Sequence, residues 1–323
     1  MNRQELLSKL TAGLLSDRDF KLGYVHTGSY ALNKVVSGKY SGGWPIGGMV
    51  EIWGESSTGK TVFITHALAD AQRKGYITAF FDNEFTYNAE FAKLMGIDPT
   101  QLLYDDPKTV PQCFERIEEL ILKIREYDTE TPIVIGLDSM AGQSDKEEDK
   151  KVSDFDNMDG SSRAREIGQC LRHLNPMLRA NKVLLLLVNQ VRSKIGIMYG
   201  DPTTKSGGGK SLDFYCTVSM RVKSNKTSDV LRDENKKALG VRGRLENTKN
   251  KCAIPFQECE FELVWNTGLN PYYGLEQVAI DAGLLEKKGG WYSTNTGEKF
   301  QGEDKLQEYL KSNPAITKYL QEN

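Results

Sequence analysis

Eight consecutive residues, Gly54-Glu55-Ser56-Ser57-Thr58-Gly59-Lys60-Thr61, follow the spacing G-x-x-x-x-G-K-[ST]. In that spacing the backbone N–H groups of a glycine-rich turn converge on phosphate oxygens, and the following helix adds the positive end of its dipole. Lys60 reaches the β- and γ-phosphates, and the Thr61 hydroxyl holds Mg²⁺. Three further side chains carry what a nucleoside triphosphate needs in order to be hydrolysed. Glu84 is the candidate base that orients water for attack on the γ-phosphate. Asp138 holds the metal directly or through water, and Gln190 senses the γ-phosphate by hydrogen bonding. Each alone could equally cap a helix or face solvent. Beside a phosphate loop, Glu84, Lys60 and Gln190 read together as a catalytic set.

These groups need a sheet to carry them. Met49-Val50-Glu51-Ile52-Trp53 is short, apolar and β-branched, and predicts a strand feeding the phosphate loop. Val62, Ile64, Ala67, Leu68 and Ala71 predict a helix after it, stopped by Gly75. Apolar runs at 78–82, 133–138 and 183–188 predict buried strands, with helices at 114–127 and 163–178 between them. That alternation means a mostly parallel sheet with helices on both faces. Ligands gather at the carboxyl ends of such strands, where Glu84, Asp138 and Gln190 fall. Segments 216–222 and 258–264 alternate in polarity and predict half-exposed strands extending the sheet antiparallel at one edge. Leu6, Leu7, Leu10, Leu14 and Leu15 predict a short amphipathic N-terminal helix that docks on its own domain or on a neighbouring subunit. Past residue 266, a helix at 274–282, a Gly289-Gly290 turn, a hairpin at 292–300 and a helix at 304–310 predict a small α/β module. The expected division is therefore an N-terminal helical segment 1–26, an α/β ATPase core 27–265 and a C-terminal module 266–323.

After Gln190 comes a long glycine-rich stretch, 191–210, that carries Arg192, Lys194, Lys205 and Lys210 among apolar residues. A loop of this length inside a compact domain is functional or disordered. Its four cations can neutralise nucleic-acid phosphates, and Ile195, Ile197 or Met198 can wedge between stacked bases. A second polar stretch, 145–162, reads on its own as a solvated excursion. Lys249 and Lys251, read alone, are basic residues after a strand and would be solvated.

Composition narrows the classes further. The 323 residues are 39% hydrophobic and 27% charged, as in soluble globular proteins, and the formal net charge is −2. A nucleic-acid surface must therefore be local. The five cysteines show no C-x-x-C pair, so neither a zinc site nor a disulfide framework is expected, and the three histidines read as structural. No long apolar run predicts a membrane span or a secretory leader, so no membrane partner and a cytoplasmic location are expected.

At these motifs the chain resembles the RecA family of homologous-recombination ATPases, as a bacterial or bacteriophage member. The resemblance runs collinearly from about Thr27 to Pro314. It is carried by Thr27-Gly28-Ser29, the segment from Val50 to Thr61, Phe81-Asp82-Asn83-Glu84, Leu137-Asp138-Ser139, Asn189-Gln190-Val191-Arg192, the segment from Lys194 to Pro202, and Lys249-Asn250-Lys251. The last two are absent from generic phosphate-loop ATPases.

The resemblance implies a RecA-like core and a protein that binds ATP with Mg²⁺ and self-associates as a helical filament on single-stranded DNA. It implies pairing of that strand with a homologous double-stranded DNA, and strand exchange coupled to ATP hydrolysis. It places Phe91 on the adenine, and Lys249 and Lys251 on the phosphates of a neighbour's ATP. It places Met158, with Arg163 and Arg165 after it, in the first DNA-binding segment, and Gly207 and Gly208 with the cations of 191–210 in the second. Lys287, Lys288 and Lys299 would face duplex DNA. Among the features that depart from the family pattern are Asp213-Phe214 in place of a Lys-Phe pair, Asn88 in place of an adenine-contacting aspartate, a first DNA-binding segment with a small insertion, a shorter N-terminal segment and the lack of a long acidic tail. A RecA-fold hexameric helicase or other DNA motor shares the phosphate loop and Asp138 and is the alternative. A non-enzymatic DNA-binding protein that keeps nucleotide as a structural ligand is a further one.

Overall fold

The computed structural model describes residues 22–140, 159–193, 203–205, 209–224, 229–294 and 297–323. Strand β1 (Tyr24–Val25), helix α1 (Tyr30–Ser37) and strand β2 (Trp44–Pro45) lead into β3 (Met49–Gly54) and α2 (Lys60–Arg73). Then follow β4 (Ile77–Asp82), α3 (Ala89–Leu94), β5 (Leu102–Asp105), α4 (Val110–Tyr127), β6 (Ile133–Asp138), α5 (Asp159–Ala180) and β7 (Val183–Ser193). The second half of the core holds β8 (Thr203–Lys205), α6 (Gly209–Tyr215), β9 (Val218–Lys223), β10 (Val230–Arg232), β11 (Ala238–Asn250), β12 (Glu258–Val264) and β13 (Gly268–Leu269). The chain closes with α7 (Glu276–Asp281), β14 (Leu285–Lys288), β15 (Trp291–Thr294), β16 (Lys299–Gln301), α8 (Glu303–Ser312) and α9 (Pro314–Glu322).

The main sheet runs in the order β13-β12-β11-β9-β3-β7-β6-β4-β5. From β9 to β5 every neighbouring pair is parallel, and β11, β12 and β13 add antiparallel at one side. Alternate side chains of the parallel strands enter two cores. Val50, Ile52, Phe80, Val134 and Leu186 pack with α2 on one face. Ile133, Ile135, Leu137, Leu185 and Leu187 pack with α4 and α5 on the other. Gly136 on β6 lets α2 come this close: a Cβ there would lie 2.5 Å from Ile64 Cγ2.

Two expectations need correcting. Segment 216–222 was expected at an antiparallel edge, but β9 lies inside the sheet, parallel to β3 and antiparallel to β11. Its polar Ser219 faces a buried polar network and not water, so the alternation signalled a wet interior. Strand β11, 13 residues long, was expected only as an unbounded strand before Lys249, and it runs through Lys249 to Asn250. Its inner face carries Gly243, where a Cβ would meet the Phe261 ring at 2.7 Å, and the buried Asn247, so no apolar period announces it.

The C-terminal module is a three-stranded antiparallel sheet with α7, α8 and α9 over its own core of Leu285, Leu306, Leu310, Ile316 and Leu320. Helix α9 was not anticipated, although Asn313 caps it and Pro314 opens it. Strand β13, on the module's side of the expected boundary at 265, pairs in the large sheet. Near this junction, Leu269 N donates to His66 Nε2 at 2.9 Å. Burial lowers the His66 pKa to about 4, so the ring stays a neutral acceptor. The expected N-terminal helix lies outside the described residues. Among the described residues, no helix is long and apolar enough to cross a membrane.

Candidate nucleotide and DNA site

The parallel register brings the strand-end residues together. Gly54 lies beside Gln190 across β3 and β7, and Asp82 beside Asp138 across β4 and β6. Gly54 must be glycine because a Cβ would sit 2.5 Å from Val222 O. Residues 55–59 then turn sharply, with Ser57 at φ 63° and Gly59 at φ 88°. Helix α2 starts at Lys60 with no side chain capping it, an N-terminus shaped to receive an anion. Lys60 Nζ folds back onto the Glu55 carbonyl at 2.5 Å, and Thr58 Oγ1 donates to the same oxygen at 2.9 Å. The amino group thus holds the loop's own backbone at the place where phosphate oxygens would compete for it.

A cavity of about 400 Å³ opens over this loop, lined by Ser56, Ser57, Gly59, Lys60, Thr61, Glu84, Asp138, Gln190, Val188 and Trp265. Thr61 Oγ1 donates to Asp138 Oδ2 at 2.5 Å. Burial pushes the Asp138 pKa up to about 6; Glu84 adds to the rise, and the Thr61 hydrogen bond and Lys60 oppose it. A buried carboxylate held this reluctantly ionised is an energetic invitation to a cation.

Glu84 is oriented from two sides. Its Oε1 accepts from Gln190 Nε2 at 2.7 Å and from the Ser139 hydroxyl. Asp82 shapes the turn behind it, accepting from Glu84 N at 3.2 Å, Tyr87 N at 2.8 Å and Tyr104 Oη at 3.1 Å. Asn83 joins the two strand ends: its Nδ2 donates to Ser139 O at 2.9 Å and its Oδ1 accepts from Ser139 N at 2.6 Å. Phe91 sits in the first turns of α3, where Asn88 Oδ1 accepts from Phe91 N at 3.0 Å. Its ring is half-buried against the core and does not line the phosphate cavity.

Sequence reasoning missed Trp265, and it named Asn83 only within a strand-end motif, with no role of its own. Trp265 reaches the cavity from the end of β12, which comes against the phosphate loop where a Cβ on Gly59 would lie 2.7 Å from Leu263 Cδ2. An aromatic residue directly after an alternating strand was its one local signal.

Lys249 and Lys251, at the end of β11, both reach the C-terminal carbonyls of α6. Lys249 Nζ donates to Asp213 O and, at 2.9 Å, to Phe214 O, and Lys251 Nζ reaches Phe214 O at 3.3 Å. Burial and the neighbouring Lys251 charge lower the Lys249 pKa. Two ammonium groups sharing neutral carbonyls form a site short of negative charge. Phe214 beside them is 72% exposed.

Of the expected DNA residues, Met158, Lys194, Ile195, Met198, Gly207 and Gly208 lie outside the described residues. Arg163 falls in α5, Arg192 in β7 and Lys210 in α6, with only their backbones described. Arg165 is exposed on α5. Lys205 was expected on a DNA phosphate, but its ammonium turns inward onto Glu51 and Asp213, at 2.5 Å from each. Lys287 pairs with Glu276 at 2.7 Å, while Lys288 and Lys299 are exposed on the small sheet.

The family models of the RecA N-terminal domain and RecA C-terminal domain match residues 9–270 and 275–323. Protein RecA of Acidothermus cellulolyticus is 33% identical over 292 residues, covering 90% of this chain and 80% of its own length. Protein RecA of Nocardioides sp. is 34% identical over 300 residues, covering 93% and 81%, and that of Thermus aquaticus is 35% identical over 292 residues, covering 90% and 82%. The match spans the phosphate loop, the strand-end carboxylates and the small C-terminal module, so the chain belongs to the RecA family of DNA-dependent ATPases of homologous recombination and repair.

Proposed function

We propose that this chain assembles on single-stranded DNA as a helical filament, pairs that strand with homologous duplex and exchanges strands, with ATP and Mg²⁺ bound between neighbouring subunits. The hydrogen bond from Gln190 Nε2 to Glu84 Oε1 carries the reading. Gln190 sits beside Gly54 in the sheet and leads into the 191–210 stretch, so the group that meets the γ-phosphate also begins the DNA segment. A triphosphate competing for Gln190 would change both the aim of Glu84 and the start of that segment.

Mg²⁺ fits the donor set. Thr61 and Asp138 offer two hard oxygens, and no cluster of three ligating side chains occurs among the described residues. Such a site suits an ion that takes its remaining positions from phosphates and water. When bound, the ion would neutralise charge on the β- and γ-oxygens. Lys60 would position the same oxygens, and Glu84, held by Ser139 and Gln190, would orient the attacking water. Lys249 and Lys251 would leave the α6 carbonyls for a neighbour's phosphates. Arg192, Lys194, Lys210, Met158, Arg163 and Arg165 would line the DNA.

The test is ATP hydrolysis with and without single-stranded DNA, with negative-stain images of the same samples. DNA-stimulated hydrolysis with filaments is expected. Closed rings would favour the motor alternative, and hydrolysis indifferent to DNA would favour a structural nucleotide.

A further inference from the structure

Glu51 lies in the middle of β3, three residues before Gly54, and is 0% exposed. A carboxylate taken out of water persists only if paired and hydrogen-bonded. Oε1 accepts from Asn189 Nδ2 at 3.0 Å. Oε2 accepts from Ser219 Oγ at 2.7 Å and from Lys205 Nζ at 2.5 Å. Asn189 directly precedes Gln190 on the strand that enters the 191–210 stretch. Lys205 closes β8, the returning leg, whose residues pair antiparallel with the outgoing one, Val191 opposite Lys205 and Ser193 opposite Thr203. One buried carboxylate on the phosphate-loop strand therefore holds both legs of the stretch at its base.

The lysine is committed to this position. Its side chain is 13% exposed, it also pairs with Asp213 at 2.5 Å, and its Nζ lies 5.0 Å from the Trp53 ring centroid. Burial alone would lower its pKa, but the Glu51 and Asp213 carboxylates outweigh burial and raise it. Were the ammonium to leave for a DNA phosphate, Glu51 would remain in the interior without its countercharge. One cation cannot serve both.

We propose that Glu51 and Lys205 form a latch that ties the returning leg of the DNA segment to the strand carrying the phosphate loop, and that Lys205 is a positioning residue and not a phosphate contact. This rests on the reading of 191–210 as the DNA segment. The latch holds that segment in register with Gln190, so that nucleotide state and DNA affinity change together. Asp213, at the outer end, extends the pair to α6, whose carbonyls hold Lys249 and Lys251.

The test uses the full chain, a fluorescein-labelled oligo(dT) and a non-hydrolysable ATP analogue, with anisotropy titrations across a salt series. For Lys205→Met the latch gives DNA affinity about tenfold weaker at every salt concentration, with an unchanged slope of log K against log salt. A lysine that neutralises a phosphate would instead lower the slope by roughly 0.7 for a single strand, and that result overturns the proposal. Glu51→Gln, which keeps the shape and the bond accepted from Asn189 but turns an NH₂ group toward Ser219 and Lys205, should show the same weakening and a smaller ratio of DNA affinities with and without the analogue. Tighter or unchanged DNA binding by Glu51→Gln refutes the latch. Glu51→Gln also keeps the proposal falsifiable if Lys205→Met does not fold, which thermal melting reports. The parent protein separates the two readings. If it ignores DNA with and without the analogue, the recombinase reading fails; if it responds and both variants match it, the latch alone fails.

Discussion

Asn83→Ala tests whether the two acidic strand ends act as one unit. Asn83 is 0% exposed, and its amide makes the paired bonds to the Ser139 backbone, at 2.9 and 2.6 Å. Ser139 is itself 0% exposed. Alanine removes both bonds and leaves no polar group in their place. A typical intramolecular hydrogen bond is worth about 1 kcal/mol net, and a stranded buried partner costs roughly 1–3 kcal/mol. The expected loss is therefore about 3 kcal/mol, which in a protein of this size lowers Tm on the order of 5 °C. The catalytic effect is separate from stability. Glu84 follows Asn83 and receives the Ser139 hydroxyl, so slack at Asn83 moves the base relative to the phosphate loop. Small misplacements of this kind cost on the order of a hundredfold in turnover. The assay pairs thermal melting with steady-state, DNA-stimulated ATP hydrolysis at saturating nucleotide. kcat should fall between about tenfold and a hundredfold while KM for ATP stays within about threefold. An Asn83→Ala protein that melts with the parent and turns over normally would refute the reasoning.

Four further outcomes are expected. Lys60→Ala should weaken ATP binding by about a hundredfold or more, since a buried charge-assisted contact is lost; retained affinity would remove the phosphate-loop assignment. Glu84→Gln should bind ATP and DNA yet hydrolyse roughly 10²–10⁴-fold more slowly, and normal turnover would remove Glu84 from the base role. Trp265 lines the phosphate cavity at 36% exposure, so its fluorescence should change on nucleotide addition and the change should vanish in Trp265→Phe. Stability should depend on pH through His66, whose folded pKa of about 4 lies below the unfolded value of 6.5. Between those values the unfolded chain binds the extra proton, so stability is full above about pH 6.5 and is lost as pH falls toward 4, by on the order of 3 kcal/mol. Urea titrations at pH 7.5 and 5 should show the parent losing about 2 kcal/mol more than His66→Phe between the two, because pH 5 lies part-way from the unfolded to the folded value.

What could be read before the fold was known follows from how local each signal is. The phosphate loop is eight contiguous residues whose glycines and lysine act through their own backbone turn. That Glu84, Asp138 and Gln190 would lie close together was legible because each falls at or just past the contiguous apolar run of a buried strand. Glu51 was not, because its meaning comes from Lys205, 154 residues away, and from Ser219, 168 residues away. The same network explains why β9 was misread: its polar residues look solvent-facing until their buried partner is known. The basic residues of 191–210 were read as one class, yet Lys205 turns onto a partner in the interior. Lys249 and Lys251 carried no local sign that they would meet on α6.

The central claim is that a bound triphosphate sets the grip of the 191–210 segment on DNA through Gln190. Its most direct test is the affinity of the parent and of Gln190→Ala for labelled oligo(dT), each with and without the non-hydrolysable ATP analogue. The account expects the parent to bind at least about tenfold more tightly with the analogue, and Gln190→Ala to bind with the same affinity in both conditions. A parent that holds DNA equally well in both conditions, or a Gln190→Ala protein that keeps the full nucleotide effect, would contradict it.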